Sequence, residues 1–246
     1  MTTTLKGQPP SAEVRAQLAV AGRPVMLAFS RGKDSIAAWL ALRDAGVDVR
    51  PFFLYLIPGR PGEGGGLPFE AADLERWEAT FKVPILRAPH PGLYRWLRNL
   101  TFQPPDRWRS ILAADLPKLT HETVNARVRA DFGLPPDTWI CDGVRANDSL
   151  VRRAALATHG VYRQRLGKVS PVWDWTTAEV RDRIATAGLT LPVDYAWFGR
   201  SFDGLDYRFL GPLKQHAPDD YARVLEWFPL ADAELFRHDM ITKESA

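Results

Sequence analysis

One short turn, Ser30-Arg31-Gly32-Lys33-Asp34-Ser35, gathers two hydroxyls, two cations, a glycine and a carboxylate. Hydroxyl, ammonium and backbone N–H donors together make a cradle for phosphate or sulfate, and Gly32 lets the backbone come close to such an anion. Asp34 carries the wrong charge for an anion and the right one for Mg²⁺ bridging to phosphate oxygens, so it is the candidate metal ligand. The flanks frame this turn. Val25 to Phe29 is an apolar run that reads as a buried strand, and Ile36 to Leu42 reads as a helix. A strand turning straight into a helix aims the helix's first N–H groups, and the positive end of its dipole, at whatever sits above the turn.

A second constellation follows another strand candidate, Thr138 to Asp142. It runs Gly143-Val144-Arg145-Ala146-Asn147-Asp148-Ser149-Leu150-Val151-Arg152-Arg153. Gly143 at a strand end permits tight backbone approach, and Arg145, Arg152 and Arg153 carry fork-shaped donors suited to phosphate or sulfate. Asp148 or Ser149 fits as the cap of a helix bearing Arg152 and Arg153. Taken alone, the same residues read equally well as a solvated, Arg-rich helix start.

Two common nucleotide patterns are excluded. A Walker loop needs Gly where Leu27 stands and Ser or Thr where Asp34 stands, and G-x-G-x-x-G is absent. Ser30 to Ser35 instead resembles the S-G-G-x-D-S loop of the ATP pyrophosphatase (PP-loop) superfamily, with Arg31 at a position usually Gly. The Gly143–Arg153 stretch is similar to the G-x-R-x-x-[ES]-x-x-R region of the superfamily's phosphoadenosine phosphosulfate (PAPS) reductase-like branch. Gly167-Lys168-Val169-Ser170-Pro171-Val172-Trp173-Asp174-Trp175-Thr176 looks like that branch's P-[IL]-x-x-W-[ST] stretch, and Gly188 to Pro192 resembles a following loop. The likeness spans residues 22–210.

The resemblance implies an α/β fold: a doubly wound, mostly parallel sheet of the adenine nucleotide alpha hydrolase-like, Rossmann-like kind, with a C-terminal helical extension. It implies an N-terminal segment over residues 1–22, a nucleotide-binding domain over 23–200, and an extension of that domain over 201–246. Ser30, Arg31, Gly32, Lys33 and Ser35, with Gly143, Arg145, Arg152 and Arg153, would bind the nucleotide. Lys33, Asp34 and Arg145 would act in catalysis, Asp34 would hold Mg²⁺, and adenine would lie near Leu54 to Ile57. The implied ligand is ATP, or PAPS or adenosine phosphosulfate (APS). Thiol-dependent relatives carry a cysteine in a C-terminal tail. Here residues 200–246 contain none, and Ser201 to Asp206 stands where many relatives have Gly-Cys.

Composition bounds the rest. The 246 residues fit one α/β domain, or one domain with a small appendage, the net charge of +3 suits phosphate-bearing ligands, and 46% apolar residues suffice for a core. One cysteine, Cys141, excludes a disulfide framework and a cysteine-based zinc or iron–sulfur site, and its place in a strand reads as a buried structural thiol. No apolar run reaches membrane-spanning length and the first ten residues lack a signal-peptide core, so the expectation is a cytoplasmic protein without a membrane partner.

Along the chain, helices are expected over Ala12–Ala21, Phe69–Phe81 and Thr120–Phe132, and strands over Val47–Ile57 and Val83–Ala88. Pro58 to Pro68, with Gly59, Gly62, Gly64, Gly65 and Gly66, reads either as a linker or as a flap beside a ligand. The segment His90 to Asp106, continuing to Arg109, interleaves Arg with Trp. It reads as Arg stems over packed Trp more readily than as a nucleic-acid platform. His121-Glu122-Thr123-Val124-Asn125 misses H-E-x-x-H at Asn125, which sets zinc aside. Thr176 with Glu179 predicts a capping box. Leu225 to Leu230 fits a packed core helix better than a subunit contact, which leaves a homodimer as the second reading.

The functional expectation is an enzyme that activates a substrate by adenylation with pyrophosphate release, the acceptor being a small molecule or nucleic acid. Two alternatives stand beside it: use of PAPS or APS with a thiol or sulfur donor borrowed from another protein, and a non-catalytic nucleotide-binding module.

Overall fold

The structure, a computed structural model, describes residues 4–60, 62 and 65–244. In chain order the elements are α1 Ser11–Val20, β1 Val25–Ala28, α2 Lys33–Asp44, β2 Val49–Tyr55, α3 Pro68–Phe81, β3 Leu86–Pro89, α4 Pro91–Arg98, α5 Pro105–Ala113, α6 His121–Asp131, β4 Ile140–Cys141, α7 Leu150–His159, β5 Tyr162–Arg163, β6 Lys168–Val169, α8 Thr177–Thr186, α9 Asp194–Phe198, α10 Tyr207–His216, α11 Pro218–Trp227 and α12 Ala233–Glu244. The strands form one sheet in the order β3-β2-β1-β4-β6-β5. β1 pairs in parallel with β2 and β4, β4 pairs in parallel with β6, and β5 is antiparallel to β6. This is the doubly wound α/β architecture. After β1 the chain builds outward to β2 and β3; it returns to lay β4 on the other side of β1. The strand order therefore reverses between β1 and β4, where open α/β sheets bind ligands beyond the strands' carboxyl ends.

The contacts divide the chain into two compact units. The first holds residues up to Phe53, Phe81–Leu86 and Ala126–Leu191, and with them β1, β4, β6, α2, α7 and α8. Its centre is α2, buried at every residue from Ser35 to Leu42, as a helix covered on all sides must be. Trp39 meets the edge of Phe29 at 5.0 Å and stacks on Phe81 at 3.9 Å. α8 packs on α2, and Arg183 closes their ends with two hydrogen bonds of 2.8 Å to the Asp44 carboxylate. Thr176 and Glu179 form the capping box that opens α8, which fixes where the loop after β6 stops.

The second unit comprises Leu54–Thr80, Arg87–Asn125 and Pro192–Ala246 and is mostly helical. Its core collects Phe69, Phe202, Phe209, Leu213, Val224 and Phe228. Asp220 accepts the Phe69 N–H at 3.2 Å, so α11 caps the start of α3. Phe228, from the Leu225–Leu230 stretch, is part of this core, and Leu230 stays 44% exposed. Trp96 meets Phe228 edge-on at 5.8 Å while Arg95 and Arg98 are exposed, so Trp96 is packed, whereas Trp108 stays 44% exposed between the exposed Arg107 and Arg109. Leu56 and Ile57, expected near adenine, lie in this core. In the glycine-rich stretch the described ends are anchored. Arg223 donates to the Pro58 and Gly59 carbonyls at 3.0 and 2.6 Å, and Leu67 is fully buried. Pro61, Glu63 and Gly64, which belong to the flap reading, lie outside the described residues. Among the described residues no helix is long and apolar enough to cross a membrane.

Several boundaries differ from the sequence reading. α2 begins at Lys33 rather than Ile36, because the polar Lys33 and Asp34 already occupy its first turn. β4 shrinks to Ile140–Cys141, since Asp142 turns its carboxylate back onto the loop that follows. The third strand runs over Leu86–Pro89 instead of Val83–Ala88.

Candidate functional site

The two constellations meet at the carboxyl ends of β1 and β4. Leu27 stands opposite Cys141 in the parallel register, so the turns that leave the two strands are neighbours. Their closeness has a steric cause. A Cβ placed on Gly143 would lie 2.7 Å from the Asp34 carbonyl carbon, 2.8 Å from Ser35 N and 2.9 Å from Asp34 O. Only glycine lets β4's exit strand rest on the first turn of α2. The tight backbone approach expected at Gly143 is thus an approach of the chain to itself.

Charge fastens what the glycine brings together. Arg145 is 0% exposed, and each nitrogen of its guanidinium is used. Nε donates to Asp34 Oδ1 at 2.8 Å, Nη2 to Asp148 Oδ1 at 2.6 Å, and Nη1 to the Trp175 carbonyl at 3.1 Å. Asp34 stands in the first turn of α2, just after β1, while Asp148 and Trp175 lie in the loops that follow β4 and β6, so one side chain ties the segments that leave three adjacent parallel strands. Asp34 also accepts from Lys33 Nζ at 2.9 Å, and Asp148 also pairs with Arg152. The result is a chain of alternating charge, Lys33–Asp34–Arg145–Asp148–Arg152, with one more cation than anion. Breaking a buried member of such a chain leaves an uncompensated charge and costs about 3–5 kcal/mol.

Ser35 Oγ donates to the Gly32 carbonyl at 2.8 Å, and Ser30 Oγ lies 3.3 Å from it. Gly32 is the N-cap of α2 and offers no capping side chain, so the helix start is built from backbone donors with Lys33 in the first turn. Arg31 is placed unlike its neighbours. Its φ of 59° is the left-handed conformation that glycine adopts at no cost, which gives a physical reason for glycine at this position in loops of this kind. The side chain is 1% exposed, with its guanidinium 5.5 Å from the Phe53 ring centroid. Arg31 is therefore a buried side chain lying against Phe53. Ser149 caps α7 by accepting from the Arg152 N–H, and Arg153 on that helix is exposed.

Each Asp34 oxygen accepts from one cation and keeps a further lone pair, so Asp34 is the residue here that would hold a Mg²⁺, in competition with Lys33 and Arg145. Both oxygens of Asp148 are likewise held by cations. Mg²⁺ asks for carboxylate oxygens with free lone pairs in octahedral array. No cluster of three or more His, Cys, Asp or Glu suited to a metal occurs among the described residues.

Sequence reasoning missed three supports of this site. Of the two residues expected as the α7 cap, Ser149 is the cap and Asp148 is the bridge between two arginines; its spacing from Arg145 and Arg152 (i, i+3 and i, i+4) carries that signal. The Trp175 carbonyl is a backbone partner that side-chain patterns do not show. Asp142 accepts from Val144 N at 3.2 Å and from Ser170 Oγ at 2.8 Å, and it pairs with Arg163, which pins the Gly143 turn from below. Cys141 is fully buried, and burial pushes its thiol well above the usual range.

No protein-family model matches the chain, and no curated protein does. Among solved structures it is similar to the crystal structure of phosphoadenylyl-sulfate (PAPS) reductase from Candida auris in its phosphate complex. The identity is 14% and the TM-score 0.40, over 80% of this chain and 95% of that one. At that superposition no residue role passes from one chain to the other.

Proposed function

We propose that this protein is a PP-loop enzyme of the PAPS reductase-like kind that binds an adenine nucleotide by its phosphates and activates a substrate by adenylation. The observation that carries this reading is the junction of Ser30–Ser35 with Gly143–Asp148 at the switch point between β1 and β4. Lys33 and the backbone donors of α2's first turn neutralise the phosphate charge that develops as pyrophosphate leaves. A substrate oxygen attacks the α-phosphorus, the bond from that phosphorus to the bridging oxygen breaks, and pyrophosphate departs with the electron pair. The protein's share in such chemistry is positioning and charge. Arg145, buried and fully engaged, is a positioning residue that holds three segments in register. ATP–pyrophosphate exchange assayed with a panel of acceptor substrates tests this reading. Exchange in the wild type that Lys33→Ala abolishes supports it, and absence of exchange with every acceptor sinks adenylation.

One observation favours a second reading. Asp34 pairs with both Lys33 and Arg145, and a nucleotide that needs no metal, such as PAPS or APS, would bind without displacing either cation. Cys141 is the chain's single cysteine and is buried, so a reductase of this kind would take its thiol from another protein. Sulfite release from PAPS or APS only when a thiol protein is added distinguishes the two.

A further inference from the structure

The geometry points to Asp148 as a built-in anion that sets how much negative charge this site accepts from its ligand. The inference rests on the proposed phosphate-binding role of the same site. Asp148 stands one residue before the N-cap of α7, where a helix start favours a negative group. Its two oxygens bridge the nitrogens of Arg145 and Arg152. That is the bidentate position a phosphate or sulfate would take between two arginines.

The two arginines differ in what they can do. The Arg145 side chain is 1% exposed and fixed on three sides, so it stays with the protein. Arg152 is 50% exposed at its side chain, on the outer face of a helix in which only Leu156 is buried. Arg152 is thus able to swing to a ligand, and Asp148 is what holds it back. With Asp148 ionised, three cations face two carboxylates along the chain from Lys33 to Arg152. Neutralising Asp148 raises the surplus from one positive charge to two and releases Arg152. An anion with more charge gains most from that change, so Asp148 biases the site against the most highly charged ligands.

The test is calorimetric binding of inorganic pyrophosphate and of sulfate to the full-length protein and to Asp148→Asn. Asparagine keeps the oxygen that accepts from Arg145, removes the charge, and replaces the oxygen that accepts from Arg152 with an NH₂ donor, which frees Arg152. Asp148→Asn is expected to bind pyrophosphate about tenfold more tightly and to improve sulfate binding by less. The gain is expected to disappear in Asp148→Asn/Arg152→Ala. Asp148→Ser provides a second neutral variant if Asn does not fold, and the same gain is expected of it. Pyrophosphate affinity that stays equal or falls in the folded neutral variant overturns the inference, and so does a gain that persists without Arg152. Failure of wild type and variants alike to bind pyrophosphate is a different result: it overturns the phosphate-site reading beneath this one.

Discussion

Gly143→Ala isolates the contact on which the site depends. The added methyl would stand 2.7 Å from the Asp34 carbonyl carbon, against about 3.4 Å for ordinary contact, so one backbone must retreat by about 0.7 Å. Both neighbours are main chain, held by α2 on one side and by β4 on the other, and neither has a rotamer to change. Overpacking of this kind costs about 1–3 kcal/mol. Gly143 does not sit at positive φ, so alanine brings no conformational strain of its own and stiffens the unfolded chain by about 0.4–1 kcal/mol. The net expectation is a loss of about 1–2 kcal/mol, or roughly 2–8 °C in Tm for a chain of this size. Because Asp34 and Ser35 move with the backbone, pyrophosphate affinity should fall by about tenfold in the same variant. Differential scanning calorimetry and titration calorimetry read the two effects. A variant as stable as the wild type or more so, with unaltered affinity, would refute the steric reasoning, because only the entropic gain would then remain.

Arg145→Lys leaves one carboxylate and the Trp175 carbonyl without their donor and should cost about 3–5 kcal/mol by urea denaturation; a loss below about 1 kcal/mol counts against the strut. Arg31→Ala loses the buried side chain and keeps the left-handed strain, whereas Arg31→Gly loses the side chain and the strain together. The glycine variant should therefore be the more stable by about 1 kcal/mol, and equal stabilities would contradict strain at φ 59°. His90 is held neutral to about pH 4, chiefly by burial, with His121 and Arg95 adding to it, while its unfolded value is near 6.5. The unfolded chain therefore binds more protons between those values, and stability falls as pH drops from about 6.5 to 4. Discounted for its partial exposure, the loss is about 1–2 kcal/mol. Denaturation midpoints of His90→Gln should show a shallower acid slope, and an unchanged slope rules His90 out as the source. Cys141 should resist thiol reagents at pH 8 in the native protein and react fully in denaturant, and rapid native-state labelling would contradict its burial.

The parts of this fold that were legible in the sequence are those written in local pattern. The apolar run before Ser30, the turn, the helix after it and the Thr176–Glu179 box all express themselves within a few residues. The parts that were not legible depend on distant partners. β5 and β6 are two residues each and exist only because they pair with one another and with β4. Gly143 was legible as a point of close approach, but what approaches it lies more than a hundred residues away. Arg145 and Asp34 both read as site residues, but their pairing was not legible, because charge in a turn looks the same whichever group it faces. The distances between them show that they face each other.

If the turns after β1 and β4 form one site for an adenosine polyanion, as proposed, a nucleotide thermal-shift panel detects it. ATP, APS and PAPS, each with and without Mg²⁺, are compared on the wild type and on Lys33→Ala. The account predicts that at least one nucleotide raises the wild-type Tm, by several degrees at a hundredfold excess over Kd, and leaves Lys33→Ala unmoved. A wild-type protein indifferent to all three, or a Lys33→Ala protein stabilised as much as the wild type, would contradict it.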